Sequence, residues 1–103
     1  MKTSELIGAA LDLAVAKCDG LETYIDDGMV CLVGQPFDKQ YAFWTPSTDW
    51  AQGGPIIEWE KIQIKENGYG HWFAKIGKGE WMRGPTPLIA AMRCYVASIT
   101  EEV

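Results

Sequence analysis

Near the N-terminus the apolar positions recur at helical spacing. Leu6, Ile7, Ala10, Leu11, Ala14, Val15 and Cys18 fall on one face, which predicts a helix from about Ser4 to Cys18. Thr3 or Ser4 supplies its N-cap, with Glu5 in the first turn, and Asp19-Gly20 supplies its stop. The alanines on that face permit close approach to a sheet or to another helix.

After Gly20 the period shortens. Leu21 to Ile25 reads as a loop or a short strand, and Asp26-Asp27-Gly28 as a turn. Met29 to Val33 is apolar and partly β-branched, which predicts a buried strand closed by Gly34. Gln35 to Gln40 is polar and contains Pro36, so it is a loop, with Phe37 as an anchor or a pocket residue. Tyr41 to Trp44 continues as an extended segment. Further on, Ile62-Gln63-Ile64 alternates between Lys61 and Lys65 and predicts a strand. Asn67-Gly68 is a hairpin turn, which Gly70 can lengthen. Trp72 to Ile76 is the returning strand, Gly77-Lys78-Gly79 turns again, and Glu80 to Arg83 completes a three-stranded antiparallel meander. Gly84-Pro85-Thr86-Pro87 breaks the sheet. Thr86 as N-cap with Pro87 at the first helical position is the clearest helix start in the chain. Leu88, Ile89, Ala91, Met92, Tyr95, Val96 and Ile99 then make a broad apolar face through to about Ser98. Arg93 lies toward the exposed side or reaches back to an acidic partner. The pattern as a whole predicts one α+β domain over residues 1–103: an antiparallel sheet of about four to five strands with an N-terminal and a C-terminal helix packed on it.

One stretch fits neither period. Tyr41 to Pro55 brackets Thr45-Pro46-Ser47-Thr48-Asp49 between Trp44 and Trp50, and Gly53-Gly54-Pro55 follows. Asp49 can cap a short helical turn over Trp50, Ala51 and Gln52, which Gly53-Gly54 ends. Pro55 fits the first position of a second short helix to about Trp59, and that N-terminus beside two glycines is an anion-site candidate. Aromatic faces, hydroxyls, a carboxylate and bare backbone are the groups a small-ligand pocket uses. The same residues also make a packed connecting loop whose tryptophans cap the core, and the pattern leaves both readings open.

Composition changes this picture in three ways. Five tryptophans in 103 residues are too many for one small core, so some line a surface or pocket. The formal net charge of -5 disfavours non-specific binding to duplex nucleic acid, which depends on phosphate neutralisation. That charge is uneven: residues 1–60 carry ten acidic and three basic residues, whereas residues 61–93 carry six basic and two acidic. The basic excess suits one small phosphorylated ligand, an acidic protein face, or simply solvated strand faces. Cys18, Cys31 and Cys94 lack any C-x-x-C spacing, which points to reduced thiols, Cys18 and Cys94 within helix cores. No signal peptide or membrane-length apolar run is expected, so the reading is a soluble protein of a cytoplasm without a membrane association.

Catalytic patterns are sparse. His71 is the only histidine, Ser47 lacks a Gly-x-Ser-x-Gly frame, and Walker and dinucleotide-binding loops are missing. Asp26-Asp27-Gly28 lacks the further ligands of a calcium loop. Pairs such as Glu58 and Glu60 are weak evidence of acid/base work in an acidic chain. The expectation is a non-enzyme without metal or cofactor.

Three blocks carry a resemblance: Ser4 to Lys17, Pro46 to Glu58, and Gly84 to Val96. Through them nearly the whole chain resembles the phage NinX-like family, small proteins of phages and prophages without an assigned activity. The resemblance implies a phage accessory protein acting in the host bacterial cytoplasm. A lesser likeness lies in the leading Leu/Ala helix and in Trp44, Pro46, Ser47, Asp49 and Trp50, which is similar to the anti-Thoeris phage sponge proteins, though the intervals differ. Those proteins hold nucleotide-derived immune signals in pockets of an oligomer.

Together these lines lead to an expected function: binding and sequestration of a small nucleotide-like signalling molecule of anti-phage defence, by a homo-oligomer. Trp44 and Trp50 would stack on a base, and Pro46 between them counts among the ligand-binding residues. Ser47, Thr48 and Asp49 would bond to ribose or base edges. Gly53, Gly54 and the amides around Thr86 would meet phosphate, with Arg83 nearby. The alternative is a host protein as partner, engaged through the same aromatic loop.

Overall fold

The computed structural model describes residues 2–33 and 43–100. The expected loop over residues 35–40 with Phe37, the closing Gly34, and Tyr41-Ala42 lie outside these residues. From the N-terminus, a short 3-10 helix (Thr3–Glu5) leads to α1 (Gly8–Cys18) and then to a hairpin of β1 (Thr23–Asp26) and β2 (Met29–Leu32). Helix α2 (Trp50–Glu60), a meander of β3 (Gln63–Glu66), β4 (Trp72–Lys75) and β5 (Met82–Gly84), and α3 (Pro87–Thr100) follow.

Helix α3 is the centre of the molecule. It starts as its sequence predicts, with Thr86 Oγ1 accepting the Ile89 amide at 3.1 Å and Pro87 in the first position, where a missing N–H costs nothing. Leu88 to Met92 and Cys94 to Val96 are all buried, which is more than one stripe of a helix. Covering on several sides accounts for it: α3 packs on β3, β4 and β5, and also against α1, α2 and the 3-10 helix. The core gathers Leu11 and Val15 from α1, Ile56 from α2, Ala74 from β4 and the buried face of α3. Among the described residues Arg93 finds no acid. Its Nε donates to Leu6 O at 2.7 Å and its Nη1 to Arg83 O at 3.0 Å, tying the N-terminal segment and β5 to α3.

The meander has the expected order, β3-β4-β5, with Ile64 opposite Ala74 and Ala74 opposite Met82 on the face toward α3. Its first connection is longer than a two-residue turn, because the Asn67 carboxamide accepts from the Tyr69 amide at 2.8 Å and the His71 amide at 3.3 Å, closing the loop on itself. The other hairpin turns tightly at Asp27 and Gly28, whose φ values of 51° and 77° are the two left-handed residues of a type I′ turn.

Four expectations need correction. The strands form two sheets rather than one: β1-β2 stands apart from β3-β4-β5, with α2 inserted between them in the chain. The C-terminal helix lies on the larger sheet, while α1 packs against α3 and β2, so the two helices do not share one sheet face. The first helix also begins later than its periodicity suggests, since Ile7 is extended and Gly8 adopts φ 60°. Its buried face consequently runs through Leu11, Asp12, Val15 and Ala16, leaving Ile7 53 % exposed. Lastly, one continuous helix replaces the two short ones expected around Gly53-Gly54-Pro55. Pro55 removes a single bond, to the carbonyl of Ala51, and Ala51 is exposed, so water can take that oxygen.

Candidate functional site

The segment that precedes α2 is held by polar side chains from two helices. The Ser47 amide donates to Asp12 Oδ1 of α1 at 2.8 Å. Gln52 of α2 accepts the Thr45 amide at 2.6 Å and donates to Phe43 O at 2.7 Å. Thr48 and Asp49 amides close onto Thr45 O at 3.1 and 2.9 Å, and Asp49 Oδ1 caps α2 by accepting the Ala51 amide at 2.9 Å. These bonds fix the conformation of the turn from within the chain itself.

Asp12 is 4 % exposed, and burial pushes its carboxyl up from the ordinary value, with the Ser47 hydroxyl and amide pulling the other way. The Ser47 hydroxyl faces that carboxylate without a well-formed hydrogen bond. The apolar periodicity of the first helix leaves Asp12 off its predicted core face and gives it no partner, so neither its burial nor its contact is read from the sequence. Because the helix starts at Gly8 and packs on a face that includes Asp12, the buried carboxylate must find a donor, and the Ser47 amide supplies it.

The turn forms one wall of a cleft of about 220 Å³, with Ser47, Thr48 and Trp50 on one side and Thr86, Pro87, Leu88 and Ile89, the N-terminus of α3, on the other. Four of the sequence-predicted residues therefore meet: Ser47, Thr48, Trp50 and Thr86. Trp50 stands at its rim, 54 % exposed. The others lie elsewhere. Trp44 packs against the hydrophobic core, with its indole N–H buried and without a partner among the described residues. Pro46 is fully buried, and Asp49 is the α2 cap. Gly53 is inside α2, where its amide is taken by Asp49 O at 2.8 Å and an added Cβ would stand 2.4 Å from Pro46 O and 2.6 Å from Leu88 Cδ2. Its role in the geometry is close approach, since any larger residue would wedge α2 away from the turn. Gly54, in the same helix, has open space around its Cβ position. Arg83 lines a different cleft, with His71 and Arg93.

Other exposed aromatics lie away from the cleft. Trp59 of α2 is 76 % exposed, and Trp81 receives Lys65 Nζ at 4.2 Å and Lys75 Nζ at 4.9 Å from its ring centroid. All three cysteines are free. Among the described residues no cluster of His, Cys, Asp or Glu could hold a metal ion. No helix among them is long and apolar enough to cross a membrane.

A small α+β protein with a clamped aromatic turn against the start of its central helix is thus the class defined by fold and site. The chain belongs to the family described as Bacteriophage P22, NinX, whose match spans residues 2–99 and so covers all three blocks of the resemblance. No curated protein matches it.

Proposed function

We propose that this phage protein is a non-enzymatic accessory protein of the infected host cytoplasm that binds and sequesters a small nucleotide-like signalling molecule. The observation that carries the reading is the convergence of Trp50, Thr48 and Thr86 on one cleft at the N-terminus of a long helix. An exposed indole offers a stacking face to a base, two threonine hydroxyls offer donors and acceptors to ribose, and the helix start favours negative charge. The cleft is small beside the roughly 300 Å³ and upward of pockets that enclose whole ligands, so it holds one end of a nucleotide. A second copy of the chain covering the remainder is the reason a homo-oligomer belongs to the proposal. Calorimetric titration with cyclic and linear nucleotides tests it. Binding should weaken about tenfold or more in Trp50→Ala, the cost of one base stack, while the variant stays folded. If the whole panel produces neither heat nor thermal stabilisation, the proposal fails.

A second reading rests on Trp59, which is three-quarters exposed and has no part in the cleft. Tryptophan so placed is typical of a protein-binding hot spot. In that case a host protein is the partner, and Trp59→Ala rather than Trp50→Ala abolishes its capture.

A further inference from the structure

A second cleft, of about 380 Å³, opens where the 3-10 helix, the end of the β3–β4 loop, β5 and α3 meet. Its lining is Ser4, His71, Arg83, Gly84, Pro85 and Arg93, with two guanidinium groups, an imidazole and a hydroxyl, and no carboxylate. We infer that this cleft binds a compact oxyanion, the phosphoryl group of a small molecule.

Three observations support the assignment. First, neither arginine is neutralised. Among the described residues, the Arg93 guanidinium bonds only to the carbonyls of Leu6 and Arg83, and the Arg83 guanidinium only to His71, through Nη2 at 3.3 Å from Nε2. Carbonyl oxygens satisfy N–H groups but do not compensate a charge. A half-buried guanidinium held this way retains an unmet demand for a counter-ion. Second, the bonds made by Arg93 are fixed from two sides, so its remaining N–H groups are oriented without further entropy loss, in the geometry that suits bidentate contacts to a phosphoryl group. Burial lowers the proton affinity of Arg93, in keeping with the lack of an acidic neighbour among the described residues. Third, the Arg83–His71 contact is a weak one between a cation and a ring nitrogen. An entering oxyanion offers both groups a better partner. The basic excess of residues 61–93 is in this way partly accounted for: Lys65 and Lys75 lie over Trp81, whereas Arg83 and Arg93 are left for an anion.

The site is independent of the aromatic cleft. It is lined by Gly84 and Pro85 at the near end of the β5–α3 connection, whereas Thr86 and Pro87 line the other cleft. The test is titration of the full chain with inorganic phosphate, then with a nucleoside 5′-monophosphate. Ionic strength is held constant with chloride, and backbone amide resonances are followed. Saturable shifts centred on Ser4, His71 and Gly84 are expected with phosphate. Arg83→Gln should weaken phosphate affinity about tenfold or more, the loss of a charge-assisted contact. Arg93→Gln also loosens the Leu6 and Arg83 carbonyls, so Arg83→Gln carries the test and His71→Ala seconds it. Trp50→Ala should leave phosphate binding unchanged, which separates failure here from failure at the aromatic cleft. Saturation by phosphate alone identifies a free-ion site, and tighter saturation by the monophosphate identifies a phosphorylated metabolite; both support the assignment. Shifts that chloride reproduces, or undiminished phosphate affinity in both Arg83→Gln and His71→Ala, overturn it.

Discussion

Gly53 and Gly54 are adjacent in one helix, yet alanine should act on them in opposite directions. At Gly53 the new Cβ would lie 2.4 Å from Pro46 O and 2.6 Å from Leu88 Cδ2. The leucine methyl can turn aside. The carbonyl cannot, because the adjoining Ser47 amide is anchored on Asp12 at 2.8 Å and the turn closes on Thr45 O. Helix α2 must therefore shift from the turn and from α3. Overpacking of this kind costs about 1–3 kcal/mol, and contact with fixed backbone belongs at the upper end. Alanine regains about 1 kcal/mol over glycine inside a helix, leaving a net loss near 2 kcal/mol. At Gly54 nothing lies within 4 Å of the Cβ position, so only the gain of about 1 kcal/mol remains. With about 4–8 °C of Tm per kcal/mol in a domain this size, Gly53→Ala should lower Tm by roughly 8–16 °C and Gly54→Ala should raise it by roughly 4–8 °C. Thermal unfolding followed by circular dichroism, with urea titration as a second measure, reads both values. Shifts of the same sign would refute the reasoning, since an irregular glycine loop would respond alike at its two positions.

Other outcomes follow from the same geometry. Gly84→Ala would set a Cβ 2.5 Å from the Ala90 amide nitrogen, so β5 should part from α3 at a cost of about 1–3 kcal/mol, measurable by urea titration. Asp12→Ala leaves the buried Ser47 amide unpaired, at a cost of about 1–3 kcal/mol, while Asp12→Asn keeps an acceptor and should be far milder. Burial raises the folded-state pKa of Asp12 above 3.8, so the folded protein holds this proton more tightly than the unfolded chain. The contribution is greatest below 3.8 and declines as pH rises from there through the raised value; urea midpoints for Asp12→Asn should lack that decline. Trp81→Ala removes the ring over which Lys65 and Lys75 lie and should cost about 1–2 kcal/mol in the same titration, the sum of two exposed cation–π contacts.

Local chemistry was legible where it decides structure by itself. Thr86-Pro87 marked the start of α3, and alternation with glycine turns marked the meander, because caps, turns and strand period act over a few residues. The passage of α2 through Gly53-Gly54-Pro55 was not legible. Its cause is tertiary: Gly53 lets the helix approach Pro46 and Leu88, a contact that no local pattern encodes. The division into two sheets escaped for a related reason, since strand order depends on what packs between strands distant in the chain. At the aromatic cleft, residue types identified the turn and the Thr86 helix start, and the fold brought Ser47, Thr48, Trp50 and Thr86 together. The sequence pattern does not single out Asp12 and Gln52, which hold that turn. Each acts at a distance, or across a turn whose shape was unknown. The sequence pattern suggests Arg83 as a phosphate partner for the aromatic turn, whereas in the fold it lines the cleft with His71 and Arg93.

Native mass spectrometry of the protein purified from infected cells tests sequestration most directly, because it weighs the assembly and its retained ligand together. Sequestration predicts an oligomer carrying small-molecule adducts of nucleotide mass, which Trp50→Ala loses while remaining folded. An adduct-free protein from infected cells, combined with an unchanged spectrum for Trp50→Ala, would contradict it.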